Sequence, residues 1–269
     1  LFFTSKYHSV KPYKGYMSGI RESLPIPEEL IALIDTAGQV VVLTGSGISA
    51  ESGVPTFREA QTGLWSQYDP QSLATSQAFR HDPELVWEWY RWRRELISKA
   101  RPNPGHLALV ELETLVQSFS LITQNVDGLH RLAGNSDVIE LHGNIMRSRC
   151  TVDGRLFEEL LPDSDELPYC PDCGELLRPD VVWFGEELPQ ASFRKALSAS
   201  QDSDVFLSVG TSGIVQPAAS LAIEARSHGG IIVEINVEDT PLTPVVDFPL
   251  RGTSGTILPT LVDLLKLRR

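Results

Sequence analysis

The chain of 269 residues carries 23 lysines and arginines against 35 aspartates and glutamates, a net charge of −12, and 42% of its residues are hydrophobic. These are the proportions of a soluble globular protein with apolar material for one large or two modest domains. The acidic balance argues against the basic face of a nucleic-acid binder, and no apolar run reaches the roughly 18 residues that a membrane-spanning helix requires.

Residues 1–21 hold Lys6, Lys11, Lys14 and Arg21 and no acid. That pattern suits an organelle-targeting remnant or, the preferred reading, an unstructured leader, so 1–26 are set apart as an N-terminal extension. A helix is expected to start at Pro27-Glu28-Glu29, because proline and acids suit a first turn. Six short apolar runs after it read as buried strands: 39–44, 118–123, 138–141, 181–184, 205–209 and 231–235. Helix-like stretches at 104–116, 191–200 and 217–227 separate several of them. The alternation predicts an α/β fold, a mainly parallel sheet with helices on both faces.

Two segments break this alternation. Residues 60–99 are helix-like, with the amphipathic PELVWEWYRWRREL, and 148–178 are acidic, loop-rich and hold all three cysteines. Both are expected to pack together as a smaller domain, leaving 27–59, 100–147 and 179–269 for the larger one. Three cysteines make a disulfide framework improbable and suit a reducing compartment.

The first strand leads into Gly45-Ser46-Gly47-Ile48-Ser49-Ala50, which fits the G-x-G-x-x-[G/A] turn of dinucleotide-binding folds. Gly53 and Pro55 follow at once, and no apolar strand run appears before residue 100, so the crossover must be interrupted by the helical insertion. Five of the six proposed strands end in polar or glycine-rich sequence: Gly45-Ser46-Gly47, Gln124-Asn125-Val126-Asp127, His142-Gly143-Asn144, Gly210-Thr211-Ser212 and Asn236-Val237-Glu238. Any one alone reads as a turn. Five along the carboxyl edge of one sheet predict a crevice.

These residues resemble the sirtuin family of NAD-dependent protein deacylases. The matching stretches are GSGISAESGVPTFR (45–58), TQNVDGLHRLAG (123–134), ELHGN (140–144), VVWFGE (181–186), VGTS (209–212), EIN (234–236) and GTSG (252–255), in the family's order. The resemblance implies a Rossmann-type large domain, a small helical and zinc-ribbon-like domain, and NAD bound as a consumed co-substrate. It places Gly45, Ser46, Gly47 and Ala50 at the pyrophosphate, where backbone N–H groups would point at it. Glu51, Thr56, Phe57 and Arg58 would belong to a mobile loop over the nicotinamide end, with Phe57 shielding the reactive sugar carbon. Thr211, Ser212, Asn236, Glu238 and Ser254 would lie along the adenosine half, and Gly210 would also bind the cofactor. Gln124, Asn125 and Asp127 would sit at the nicotinamide ribose, Asn125 also positioning a water.

His142 alone would read as a hydrogen-bonded structural histidine. The resemblance makes it the base that activates a ribose hydroxyl, after the acyl-lysine carbonyl oxygen has displaced nicotinamide. His106 and His130 are taken as structural. Tyr90 and Arg93, three apart on one helix face, match the sirtuin subgroup that prefers negatively charged acyl groups. Arginine can grip a carboxylate with paired hydrogen bonds, and a tyrosine hydroxyl can add a third. Ala74 matches the subgroup's small residue beside a longer acyl chain, so succinyl, malonyl or glutaryl removal is expected ahead of acetyl. Val182, Trp183, Phe184, Gly185 and Glu186 would pair with the extended peptide backbone around the acyl-lysine. A structural zinc site wants C-x-x-C twice. Cys170 and Cys173 complete one half, but Cys150 is followed by Asp153 where the family has cysteine, so Asp153 or a nearby acid must supply an oxygen ligand or zinc binding weakens.

Competing readings are a mono-ADP-ribosyltransferase or NAD hydrolase on the same fold, a nicotinamide dehydrogenase, a serine hydrolase and a non-catalytic NAD sensor. The missing ribose-binding acid after a second strand counts against the dehydrogenase, and Gly47-Ile48-Ser49-Ala50-Glu51 lacks the second glycine of a nucleophile elbow. The expected partners are acyl-lysine proteins or peptides. The expected state is a cytoplasmic monomer, mitochondrial if the leader is a targeting remnant.

Overall fold

Why the sheet forms is plain from its centre. The computed structural model describes residues 26–55, 69–158 and 166–269, and all five residues of strand β1 (Val40–Thr44) are buried in it. Helix α1 (Glu28–Thr36) precedes this strand, with Glu28 and Glu29 in its first turn. A single turn of helix follows it, α2 (Gly47–Ala50). The interrupted crossover then holds α3 (Pro70–Leu73), α4 (Ser76–His81), α5 (Pro83–Lys99) and α6 (Pro104–Leu115). Two of these starts are written in sequence. Asp82 accepts the Leu85 N–H at 3.0 Å with Pro83 in the first turn, and Asn103 accepts the N–H groups of Gly105 and His106 ahead of Pro104.

The remaining elements are β2 (Phe119–Thr123), α7 (Leu129–Ala133), β3 (Val138–Glu140), β4 (Gly143–Cys150), β5 (Leu156–Phe157), β6 (Leu177–Val181), α8 (Gln190–Gln201), β7 (Val205–Val209), α9 (Leu221–Ser227), β8 (Ile231–Asn236), β9 (Phe248–Arg251) and α10 (Ser254–Arg268). Six strands form a parallel sheet in the order β3-β2-β1-β7-β8-β9. Thr44 pairs with Thr123 on one side and Val209 on the other, so the carboxyl ends of the three central strands are level. The strand order reverses direction at β1, which is where an open parallel sheet leaves a crevice. Val40 and Val42 face the core under α1, α6 and α10, while Val41 and Leu43 face the core under α8 and α9.

A second sheet, β5-β4-β6, is antiparallel. It shares a third core with α4 and α5, containing Phe79, Trp87, Trp89, Tyr90, Ile145, Leu177 and Trp183. The expected parallel strand at 181–184 is therefore corrected: Val181 ends β6 of this smaller sheet, and the sixth parallel strand is β9. Pro249 disguises β9, because a proline lacks the N–H of a ladder, yet it is tolerated where a strand is paired on one side only. Among the described residues no helix is long and apolar enough to cross a membrane.

The two sheets meet beside Gly143. Its φ is +80°, and a Cβ there would stand 2.1 Å from the Asp180 carbonyl oxygen. Around that contact Arg147 bridges Glu140 (2.8 Å) and Asp180 (2.9 Å), both nearly buried. Gly143→Ala should accordingly cost about 3 kcal/mol or more of folding stability, measured as a fall in the urea midpoint; a change below about 1 kcal/mol would contradict this packing.

Candidate active site

The turns after β1 and β7 touch. The Gly47 N–H donates to Gly210 O at 2.8 Å, Gly45 N–H to Val209 O at 3.0 Å, and Gly210 N–H to Ile235 O at 2.9 Å. A Cβ on Gly47 would meet Gly210 Cα at 2.7 Å, and one on Gly45 would meet Gly210 O at 2.8 Å. This corrects the expected role of the glycine amides: those of Gly45 and Gly47 are spent on the neighbouring turn, and the glycines are needed for close approach. Ser46 and Ala50 are exposed at the mouth of the turn.

Ser49, buried behind that turn, organises the carboxyl end of β2. Its hydroxyl donates to Asp127 Oδ2 at 2.7 Å and accepts from Asn125 Nδ2 at 3.2 Å, while Asn125 Nδ2 also reaches Gly45 O at 3.0 Å. Asp127 Oδ1 accepts the Leu129 N–H at 2.9 Å. Burial pushes the Asp127 carboxyl above its ordinary range, and the Leu129 and Ser49 donors oppose that shift. The glycine motif alone assigns Ser49 no role. The signal available for it was a hydroxyl in an otherwise small and apolar first helical turn, where only a buried polar partner explains it.

Two more imidazoles lie behind. His106 Nδ1 accepts the Asn103 N–H at 3.3 Å, and its Nε2 is 3.5 Å from Ser49 Oγ. His130 Nε2 is 2.9 Å from Thr44 Oγ1, which donates to Thr123 Oγ1 at 2.8 Å. Burial lowers His106 to about 4 and His130 to about 3, so both are neutral at pH 7.

His142 follows β3 on the same rim. Its Nδ1 lies 2.8 Å from the carbonyl oxygen of Gln124. A carbonyl can only accept, so Nδ1 carries the proton and Nε2 keeps its lone pair. Burial depresses the His142 pKa, and the Gln124 hydrogen bond opposes it more weakly. The group is thus a neutral imidazole fixed in the tautomer of a base.

Farther along the rim, Asn236 Nδ2 donates to Thr211 O at 2.9 Å, and Thr211 Oγ1 accepts the Gly213 N–H at 3.0 Å. Ser212 and Glu238 are exposed beside them. Glu51 is turned elsewhere than expected: its Oε2 accepts the Gly255 N–H at 2.7 Å and lies 3.4 Å from the buried Ser254 hydroxyl, tying α2 to the start of α10. Thr56, Phe57 and Arg58 lie outside the described residues.

Across the crevice, Tyr90 is fully buried and accepts the Trp183 Nε1–H at 2.9 Å. The Arg93 guanidinium lies 4.9 Å from the Trp89 ring centroid and 6.0 Å from that of Tyr90. Burial lowers the Arg93 pKa, while Tyr90 and Asp127 attract its charge from the opposite sense. Ala74 is buried, and its carbonyl accepts the Phe184 N–H at 2.9 Å. The segment expected to pair with a peptide has its donors committed. Val182 N–H goes to His142 O, Trp183 N–H to Glu186 Oε2, and Glu186 N–H to Trp183 O. The Glu186 side chain is a bracket: it holds Arg178 and Ser76, and Arg178 with the other donors brings its pKa to about 2 against the upward push of burial.

The sulfurs of Cys150, Cys170 and Cys173 lie within 4.8 Å of one another. Asp153 is not in that group, its carboxylate instead accepting the Arg155 N–H at 3.0 Å. The two turns are built alike. Cys150 N–H donates to Arg155 O and Gly154 N–H to Cys150 O; Cys170 N–H donates to Glu175 O and Gly174 N–H to Cys170 O. Asp153 therefore occupies the place in the first turn that Cys173 occupies in the second.

A Rossmann-type sheet, an interrupted first crossover and a histidine and asparagine at adjoining strand ends define a dinucleotide-site protein with a second, inserted unit. The family model described as "Sir2 family" matches residues 45–217, and the chain belongs to that family. It is 51% identical over 243 residues to an NAD-dependent protein deacylase of Pyrococcus furiosus, covering 87% of this chain and 96% of the relative. Among solved structures, a Sir2 homolog–NAD complex matches with a TM-score of 0.86 at 48% identity, over 90% of this chain and 95% of that one. Sir2Tm bound to a propionylated peptide matches with a TM-score of 0.73 at 32% identity, over 87% and 96%.

Proposed function

We propose that this chain is an NAD-dependent protein-lysine deacylase that removes acidic acyl groups, succinyl, malonyl or glutaryl, ahead of acetyl. The observation that carries the deacylase reading is His142, held with a free Nε2 on the rim it shares with Asn125 and Asp127. NAD, as co-substrate, brings the ribose carbon to which the acyl oxygen transfers when nicotinamide departs. His142 Nε2 takes the proton of a ribose hydroxyl; Asn125 and Asp127 hold that ribose, and their orientation is set by Ser49. Gly45, Ser46, Gly47, Ala50 and Gly210 bound the pyrophosphate site, and Thr211, Ser212, Asn236, Glu238 and Ser254 the adenosine side. The peptide lies along the segment of Val182, Trp183, Phe184, Gly185 and Glu186.

Arg93 and Tyr90 support the acidic-acyl preference. A half-buried guanidinium stacked over the Trp89 and Tyr90 rings suits a carboxylate, which it can bind with paired hydrogen bonds. With succinyl-, malonyl-, glutaryl- and acetyl-lysine peptides and NAD, the wild type should favour the acidic acyl groups. Arg93→Met should lower kcat/KM for them by about 100-fold while acetyl falls far less. Equal losses would remove Arg93 from recognition, and nicotinamide release without any acylated peptide would favour the NAD hydrolase instead.

The pH dependence follows from the sign of the His142 shift. A base must be neutral, and burial favours the neutral form, so kcat/KM should rise with pH through a midpoint below 6.5 and be flat from there to pH 7.5. An acid limb centred above 6.5 would assign the base to another group.

Zinc fits the paired turns: three sulfurs converge, and Cys150 Sγ accepts the Val152 N–H at 3.4 Å. Cys150, Cys170 and Cys173 would hold the ion, and Asp153, turning from Arg155, would close the site with oxygen. Its contribution would be stability of the β4–β6 unit. Metal content per chain should fall in Asp153→Ala and be retained in Asp153→Cys; equal content in both would exclude Asp153 as a ligand.

A further inference from the structure

Trp183 is locked from both sides. The Arg178 guanidinium lies over its indole, 3.4 Å from the ring centroid. Arg178 is itself held by Glu186 through two bonds, of 2.6 and 2.9 Å, and by the Val181 carbonyl at 2.9 Å. Glu186 also accepts the Trp183 backbone N–H at 2.9 Å and the Ser76 hydroxyl at 2.6 Å. Phe79 packs against the indole at 5.2 Å. The ring has no room to turn, so the direction of its N–H is fixed.

That N–H points at Tyr90 Oη, 2.9 Å away. An indole N–H can only donate, so the phenol oxygen accepts and its own proton is directed elsewhere. The Tyr90 ring is held in turn, edge-on to Trp89 at 4.8 Å and 76°, with Arg93 over the same pair. A carboxylate is an acceptor only. A phenol kept as donor adds to Arg93, whereas a phenol free to rotate could present its lone pairs to the anion and repel it.

We infer that Trp183 is a positioning residue for acyl recognition: its indole N–H, locked by Arg178 and Glu186, holds Tyr90 as the hydrogen-bond donor that an acyl carboxylate requires. This rests on the acidic-acyl reading above. It adds that the peptide-facing segment and the acyl-recognising pair are one rigid network, with Glu186 at one end and Arg93 at the other.

Trp183→Phe keeps a ring beneath Arg178 and removes the N–H. It should raise KM for a succinyl-lysine peptide about 10-fold more than KM for its acetyl counterpart, with the two kcat values changing in parallel. In a Tyr90→Phe background there is no hydroxyl to position, and the same substitution should add less than about twofold to the succinyl KM. Equal rises in both KM values, or an undiminished effect in the Tyr90→Phe background, would overturn the positioning role and leave the acidic-acyl reading standing. A wild type without preference for succinyl would overturn both, before any variant is compared. Should Trp183→Phe fail to fold, Arg178→Lys, which loses the planar stack and the paired Glu186 bonds, should shift the succinyl-to-acetyl KM ratio in the same direction; an unchanged ratio would overturn the inference.

Discussion

The rim depends on how closely two turns approach. Gly47 and Gly210 pack backbone to backbone where β1 and β7 end, with no room for a Cβ on Gly47. Because β1 also pairs level with β2, the same contact fixes where the β2 end stands, and Asn125 is tied to Gly45 O across that gap. β2 and β3 lie to one side of β1, and β7, β8 and β9 to the other. Their connections leave in opposite directions, which opens a crevice at the carboxyl end of β1. The close contact of the glycines and the crevice are thus two consequences of one register.

Three imidazoles are wholly or partly buried by the same crowding. His106, His130 and His142 are all held neutral by burial, through different partners. Each imidazole then has one donor and one acceptor to place, and each placement orients something nearer the rim. His106 stands behind Ser49, His130 behind Thr44 and Thr123, and the Asn125 N–H bonds to Thr123 Oγ1 at 3.0 Å. Buried polar networks are costly when incomplete. His130 Nδ1 is a buried polar atom without a partner, so this network gives up some stability for position. Of the three, His142 is the one that follows a strand end on the rim, with its Nδ1 spent on the Gln124 carbonyl.

Much of this was legible in the sequence, because strand ends advertise themselves. The β-branched runs at 40–44, 205–209 and 231–235 are buried on both faces and could hardly be anything else, and the polar residues after them mark the crevice edge. Three things resisted. β9 is short, sits at an edge and contains Pro249, so it has neither length nor pattern. The run at 181–184 has the apolar content of a core strand, but its partner is decided by β4, far off in sequence, and composition cannot distinguish one sheet from another. The glycine amides were expected to face a phosphate, and they face the β7 turn, since a motif fixes residue types and not the direction of an N–H. Ser49, Trp183 and Glu186 share that difficulty: their roles lie in which atom meets which, at separations of 78, 93 and 8 residues.

Distance decides how the cysteine turns can matter to the chemistry. β4 begins at Gly143, next to His142, and ends at Cys150 among the sulfurs. At roughly 3.3 Å per residue the two ends are about 20 Å apart, too far for a metal to act on a ribose hydroxyl. The ladder between β4 and β6 is nevertheless continuous with the rim at both strands, through Gly143 packed on Asp180 and through the Val182 N–H bonded to His142 O. A tether at the far end would therefore reach the rim only through these two strands, whose register is irregular between Gly143 and Ser148. His142 thus stands at the seam of the two sheets, its ring bonded to the Gln124 carbonyl after β2 and its own carbonyl to the Val182 N–H after β6.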